Sequence, residues 1–92
     1  MHNPTTTTFL PDESWLAIAR SLELSAREAQ VVHLILIDAT ESAIAAALAI
    51  SPHTVHTHLE RLYRKLRVNS RCQVVTRVFQ EYVSLSSERT LV

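Results

Sequence analysis

The chain has 92 residues, of which 47% are hydrophobic and 20% charged, and its nine basic and nine acidic side chains leave no net charge. This length supports one small domain, and this composition excludes a wholly disordered chain. No apolar run approaches the roughly 18 residues that cross a bilayer, the N-terminus lacks a signal-peptide pattern, and the one cysteine excludes an internal disulfide, so we expect a cytoplasmic protein without a membrane partner. The absence of glycine excludes glycine-rich nucleotide-binding loops.

The charges are unevenly distributed along the chain. Residues 1–51 carry two basic and six acidic side chains and so a net charge of −4, whereas residues 52–77 carry six basic and one acidic and so a net charge of +5. A basic segment of this kind is typical of a surface that meets a polyanion. A solvated charged face is an equally good interpretation of charge alone.

The first part of the chain predicts a tail and a short helix. Residues 1–11 contain a run of threonines and no apolar periodicity, which predicts a flexible tail. Asp12 can cap a helix over about residues 13–22, so that residues 12–23 form an N-terminal helix packed on the main domain. The buried side of this helix would contain Trp15, Leu16, Ala19 and Leu22.

The next two helices are predicted from their capping residues. Ser25 and Glu28 have the spacing of a capping box, which begins a helix over about residues 26–37. This helix is apolar nearly all round and is therefore expected at the centre of the core. Thr40 can cap a shorter helix over about residues 41–49. Its inward residues would be Ile44, Ala45 and Leu48.

The segment from Ser51 to Leu66 predicts one helix with two different faces. Ser51 can cap the helix, and Pro52 suits its first position because a missing N–H costs nothing there. Its core-facing stripe, at the spacing i, i+4, i+7 and i+11, consists of Val55, Leu59, Leu62 and Leu66. Its opposite face carries the hydrogen-bonding side chains of His53, His56, Thr57, Glu60, Arg61 and Arg64.

The last predicted helix has a broader apolar surface than packing against one core requires. Ser70 can cap it, and it would run over about residues 71–85 before a frayed C-terminus at residues 86–92. Its apolar side chains cover an arc of roughly 180°, more than the ~100° that faces a single core. Part of this arc is therefore expected to pack against a second copy of the chain.

A short helix, a tight turn and a second helix with a polar outer face form the layout of a helix-turn-helix DNA reader. The sequence resembles the LuxR/GerE-type helix-turn-helix domain over about residues 24–83, in four blocks at the family's spacings. The family pattern L-[ST]-x-R-E corresponds to Leu24–Glu28, I-A-x-x-L to Ile44–Leu48, I-S-x-x-T-V-x-x-H to Ile50–His58, and K-L-x-V-x-x-R to Lys65–Arg71.

This resemblance implies an all-α fold, a four-helix LuxR/GerE-like helix-turn-helix domain at residues 24–85 with an extra short N-terminal helix. It implies a sequence-specific transcription regulator that binds double-stranded DNA as a homodimer, with helix 52–66 in the major groove and RNA polymerase as a candidate partner. The implied base contacts are His56, Thr57 and Glu60. When residues of the polar face are added to those that the family implies, the expected phosphate contacts are His53, Thr54, His58, Arg61, Arg64 and Lys65. The implied dimer interface contains Cys72, Val75, Val78, Phe79 and Tyr82.

The sequence departs from the family pattern at several positions. His56 stands where the family usually has lysine, and Glu60 where basic or polar residues are common, which predicts weaker non-specific binding or a changed base preference. Asp38 and Arg67 stand where glycine is common, and a non-glycine residue in a left-handed cap costs about 1 kcal/mol. Ala43 replaces a usual glutamate and leaves any contact of that glutamate unmade.

Three histidines near one another raise two further hypotheses. His53 and His56 are neighbours on the helix, but His58 points roughly 140–160° away, so we predict no metal site. Protonation of His53 and His56 near neutral pH would strengthen DNA binding. Cys72 is expected to act as a small apolar residue rather than a redox group.

Two other functions stay open at this stage. A protein-interaction module could keep the fold without tight DNA binding, and region 4 of a sigma factor shares part of the motif pattern. No nucleophile with a base, carboxylate pair or ligand cluster indicates an enzyme, and no cofactor is expected. About 23 residues precede Leu24, where family members often carry a receiver or ligand-binding domain, so a stand-alone regulator and a piece of a longer one are both compatible with the sequence.

Overall fold

The structure is a computed structural model that describes residues 12–90. Within these residues every regular element is a helix, which confirms the all-α fold class. The helices are α1 (Asp12–Ser21), α2 (Ala26–Leu36), α3 (Glu41–Leu48), α4 (Pro52–Leu66) and α5 (Arg71–Thr90). None of them, over the described range, has the length and apolar character needed to cross a membrane.

The helices α2 to α5 each begin with the hydroxyl cap that the sequence predicts. The capping box is complete, because the Glu28 N–H donates to Ser25 Oγ at 3.1 Å while the Ser25 N–H donates to Glu28 Oε1 at 2.8 Å. The other three caps accept the backbone N–H three residues on: Thr40 from Ala43, Ser51 from Thr54 and Ser70 from Gln73. These caps fix where each helix starts.

The helices α1 to α4 end in one type of turn, although the chain contains no glycine. After α3, the Ala49 N–H donates to the Ala46 carbonyl at 3.3 Å and the Ile50 N–H to the Ala45 carbonyl at 3.0 Å, the pattern of a Schellman motif. The left-handed residues of the four turns are Glu23 (φ 57°), Asp38 (φ 62°), Ala49 (φ 56°) and Arg67 (φ 59°). The prediction of left-handed caps at Asp38 and Arg67 is confirmed, and Glu23 and Ala49 share that conformation.

The core lies between α2, α4 and α5 and is closed by α1 and α3. The predicted α4 stripe is confirmed, since all four of its residues are buried. The polar face of α4 therefore points away from the core. The buried side chains of the other helices are Ile18 and Leu22, Val31, Val32 and Ile35, Ile44 and Ala45, and Val74 and Val78.

Two details of the prediction are corrected. On α1 the buried residue is Ile18, whereas Leu16 is exposed, because α1 packs along α5 with a rotation that places position 18 rather than 16 toward the core. The helix α5 continues to Thr90, beyond the predicted end near residue 85. The tail predicted at residues 1–11 lies outside the described residues.

Candidate nucleic-acid interface

The helices α3 and α4 form the predicted helix-turn-helix unit. Only Ala49, Ile50 and Ser51 separate them, and the half-buried Ile50 packs against the core. Ser51 Oγ both accepts the Thr54 N–H at 3.1 Å and lies 2.9 Å from Thr54 Oγ1, so the first turn of α4 is held by two contacts. This joint fixes the orientation of α4 and of the face that it presents to solvent.

The structure places the predicted contact residues on one side of α4. At roughly 100° per residue, the centre of this polar face is formed by positions i, i+3, i+4, i+7 and i+11, which are His53, His56, Thr57, Glu60 and Arg64. The remaining predicted phosphate contacts, Thr54, His58, Arg61 and Lys65, lie along one flank. All of these side chains are exposed except Thr54, Thr57 and His58, which are half-buried.

Two residues at the centre of the polar face form a pair. The distance from His56 Nε2 to Glu60 Oε2 is 3.5 Å, across one helical turn, and each side chain is 60% exposed. Next to them, Thr57 Oγ1 donates to the His53 carbonyl at 3.3 Å, which leaves the methyl group and the oxygen lone pairs of Thr57 for a partner. The centre of the face thus combines an imidazole, a carboxylate and a methyl group.

Lys65 is a predicted phosphate contact whose charged group is bound within the protein. Its Nζ donates to Glu28 Oε1 at 2.8 Å, the same oxygen that completes the capping box of α2. Burial alone raises the pKa of Glu28, but the hydrogen bonds from Lys65 and Ser25 outweigh it and hold this pKa below its usual value. The carboxylate is therefore charged at neutral pH and offsets the charge of Lys65.

The basic character of residues 52–77 is smaller at the surface than the sequence indicates. Arg71 donates to the Ala39 carbonyl at 2.5 Å, and Arg77 Nη1 donates to Glu81 Oε1 at 2.9 Å. Together with Lys65, half of the six basic residues in this segment bind protein groups. Of these six, the residues that are exposed and form no ion pair with the described part of the chain are Arg61, Arg64 and Arg67, all in or directly after the second half of α4.

A second surface lies on α5. Cys72, Val75 and Phe79 are exposed, as a dimer interface requires, and Phe79 reaches 62%. Val78 was predicted in this interface, but it is 1% exposed and belongs to the core. The reason is helical phase, because Val78 shares the inward side of Val74. Two more residues differ from the predicted interface. Tyr82 is half-buried against the core, and Val83 is exposed although it was not predicted in the interface.

The helix α1 is tied to α5 by polar contacts. The Ser21 hydroxyl donates to Glu81 Oε2, and Arg77 donates to the other oxygen of the same carboxylate. The hydrogen bond from Ser21 is the main reason that the pKa of Glu81 lies below its usual value, and Arg77 adds to this effect against the opposing influence of burial. This contact joins residues 60 positions apart, and no pattern in the sequence indicates it.

An apolar groove lies apart from these surfaces. The groove has a volume of about 340 Å³ and lies where α1, α2 and α3 meet, with Trp15 and His33 in edge-to-face contact at 6.2 Å. Over the described part of the chain, no three His, Cys, Asp or Glu side chains are grouped so that they could hold a metal ion.

Comparisons with known proteins agree with this geometry. A family model described as "Bacterial regulatory proteins, luxR family" matches residues 22–78. The chain is 43% identical over 58 residues to the "Probable transcriptional regulatory protein NarL" of Mycobacterium tuberculosis, which covers 63% of this chain and 27% of that protein. It is 40% identical over 53 residues to the "CsgBAC operon transcriptional regulatory protein" of Escherichia coli, and this match covers 58% of this chain and 24% of that protein. The chain thus spans about a quarter of the length of these relatives. Comparison with the solved structures gives no significant match.

Proposed function

The chain belongs to the luxR family of bacterial regulatory proteins, and we propose that it regulates transcription by binding specific sites on double-stranded DNA through α4. The observation that carries this proposal is the division of α4 into a fully buried apolar stripe and an exposed polar face with Arg61 and Arg64. An α-helix of this kind fits the major groove of B-DNA.

Different parts of the polar face have different roles in this proposal. Arg61 and Arg64 neutralise phosphates, with His53, Thr54, His58 and Lys65 along the same backbone path. His56, Thr57 and Glu60 approach base edges, where the Thr57 methyl suits thymine and the Glu60 carboxylate suits the amino group of cytosine. Phosphate contacts position the helix, and base contacts specify the sequence.

The proposed DNA-binding form is a homodimer. The exposed stripe of Cys72, Val75, Phe79 and Val83 on α5 is apolar and contiguous along the helix, and a two-fold axis through it would pair identical surfaces. Two α4 helices would then read half-sites about one turn of DNA apart. Action on DNA also supports the proposed cytoplasmic location, and RNA polymerase is the proposed partner once DNA is bound.

The proposal is tested by measuring affinity for DNA against salt concentration. We expect sites recovered from a random DNA pool to bind with a steep negative slope of log K against log salt. Arg64→Ala should reduce this slope by about two, because a dimer loses one phosphate contact in each protomer. Arg20→Ala, on the exposed surface of α1, is the matched control and should leave the slope unchanged. Absence of binding at low salt would refute the proposal.

A protein-interaction module is the second candidate function. Two observations favour it: Glu28 offsets the charge of Lys65, and Glu60 lies at the centre of the polar face. Both reduce the attraction of α4 for phosphates. The same salt titration separates the two functions, because an interaction module with this face would not shift DNA even at low salt.

A further inference from the structure

The pair formed by His56 and Glu60 has two charge states, and they offer different groups to a partner. With a neutral imidazole, the pair carries one negative charge at the centre of a face that is proposed to meet phosphates. With a protonated imidazole, the pair is neutral overall and one ring N–H remains free while the other points to Glu60. The separation of 3.5 Å allows either state without a change in the helix.

We propose that His56 and Glu60 act as one base-reading unit whose protonation sets both the affinity and the base preference of α4. This inference rests on the proposed DNA-binding function and adds a determinant of specificity to it. Both side chains are more than half exposed and lie one turn apart on the polar face, so a base pair in the groove could meet both at once. The unit takes up a proton when it binds its preferred site.

The hydrogen-bonding capacity of each state determines the base preference. A carboxylate only accepts hydrogen bonds, so Glu60 suits the amino groups of cytosine or adenine and opposes guanine and thymine, which present acceptors to it. A neutral His56 that donates to Glu60 has only an acceptor left, whereas the imidazolium has a free donor that suits the N7 or O6 of guanine. The protonated unit therefore selects a cytosine next to a guanine.

Electrostatics also predicts that protonation of the unit increases its affinity for DNA. Each proton that the unit binds removes one negative charge from a face that approaches the DNA backbone, so DNA favours the protonated state. Binding must then tighten as pH falls, because a ligand that prefers one protonation state raises the population of that state. One proton for each protomer limits the effect to tenfold for each pH unit and protomer.

The other charged groups around the unit form no ion pair with it within the described residues. On α4 itself the neighbours are His53 and His58, which form no ion pair within the described residues, and the cations of Arg61, Arg64 and Lys65. The packed helices contribute groups that interact elsewhere: Glu28 of α2 with Lys65, Glu41 of α3 with Tyr63, and Arg71 of α5 with Tyr63 and the Ala39 carbonyl. Glu60 pairs only with His56 among the described residues.

The test compares DNA affinity at about pH 6 and about pH 8, at fixed salt, for sites selected from a random pool at each pH. We expect the chain to bind three- to tenfold more tightly per protomer at the lower pH and to favour sites with a cytosine-guanine step at the position that Glu60 meets. His56→Gln keeps a hydrogen-bonding side chain that does not titrate, and it should abolish the difference. His33→Gln, on α2 and outside the polar face of α4, is the control and should keep the difference.

A second measurement counts the protons directly. Calorimetric titration with DNA in two buffers of different ionisation enthalpy should show proton uptake by the wild type and by His33→Gln, but not by His56→Gln. If His56→Gln keeps the proton uptake and the pH dependence while still binding DNA, the inference is wrong and the proposed function stands. If the wild type binds no DNA at either pH, both are refuted.

Discussion

Replacing Ala49 by glycine should stabilise the domain. Ala49 has φ 56° and ψ 45°, the left-handed conformation in which a Cβ atom costs about 1–2 kcal/mol relative to glycine. Glycine offsets about 0.4–1 kcal/mol of that gain, because it is more flexible in the unfolded chain. We therefore expect the free energy of unfolding to rise by about 0.5–1 kcal/mol, or Tm to rise by roughly 2–8 °C for a domain of this size.

The same substitution at Ala46 provides the control, because its expected effect on stability has the opposite sign. Ala46 is an exposed residue within α3, where glycine costs about 0.5–1 kcal/mol relative to alanine. Urea denaturation followed by far-UV circular dichroism, at one protomer concentration, measures both variants against the wild type. The midpoint should rise for Ala49→Gly and fall for Ala46→Gly with little change in slope. A fall in both midpoints would refute the account of the α3 terminus.

Two further predictions concern stability at low pH and the two sides of α5. The lowered pKa values of Glu28 and Glu81 mean that their contributions to stability are present above the ordinary carboxyl value of 4.5 and are lost as pH falls through the lower folded-state values. The urea midpoint should therefore drop as pH falls below about 4.5. It should drop less in Glu28→Gln than in Glu13→Gln, which replaces an exposed carboxylate. Val78→Ala should reduce the free energy of unfolding by about 2 kcal/mol, because it leaves a cavity in the core. Phe79→Ala should change the free energy of unfolding of the monomer by less than about 0.5 kcal/mol. It should also raise the protein concentration at which sedimentation detects a dimer. Equal destabilisation by both α5 variants would contradict the assigned helical phase.

The helix starts and the core stripe of α4 could be predicted because they depend on local chemistry. A hydroxyl at an N-cap bonds a backbone N–H three residues later, so Ser25, Thr40, Ser51 and Ser70 carry their signal within one turn of sequence. The stripe of α4 is equally local, because its buried and polar positions separate cleanly around the helix. Where this separation is poor, prediction fails. On α5 the apolar arc is so wide that Val78 could be placed on either side.

The charge of the candidate interface could not be predicted from the sequence, because it depends on distant partners. Lys65 meets Glu28, 37 positions earlier, and Arg71 meets the Ala39 carbonyl, 32 positions earlier. Each contact binds a cation to a protein group without leaving a local signal. The partner of His56 is different, since Glu60 follows at the helical spacing i+4 and could have been identified as its neighbour.

The turns between the first four helices also determine where the chain can change in length. Glu23, Asp38 and Ala49 are each followed by an apolar residue and then by the hydroxyl cap of the next helix, so each residue of these joints already has a fixed role. An insertion or deletion in any of these joints would change the offset between one helix end and the next helix start. In the joint before α4 it would rotate α4 relative to the core. After Arg67, by contrast, Asn69 stands between the apolar residue and the cap at Ser70. Natural variation in loop length among related chains should therefore concentrate between α4 and α5 and avoid the joint before α4.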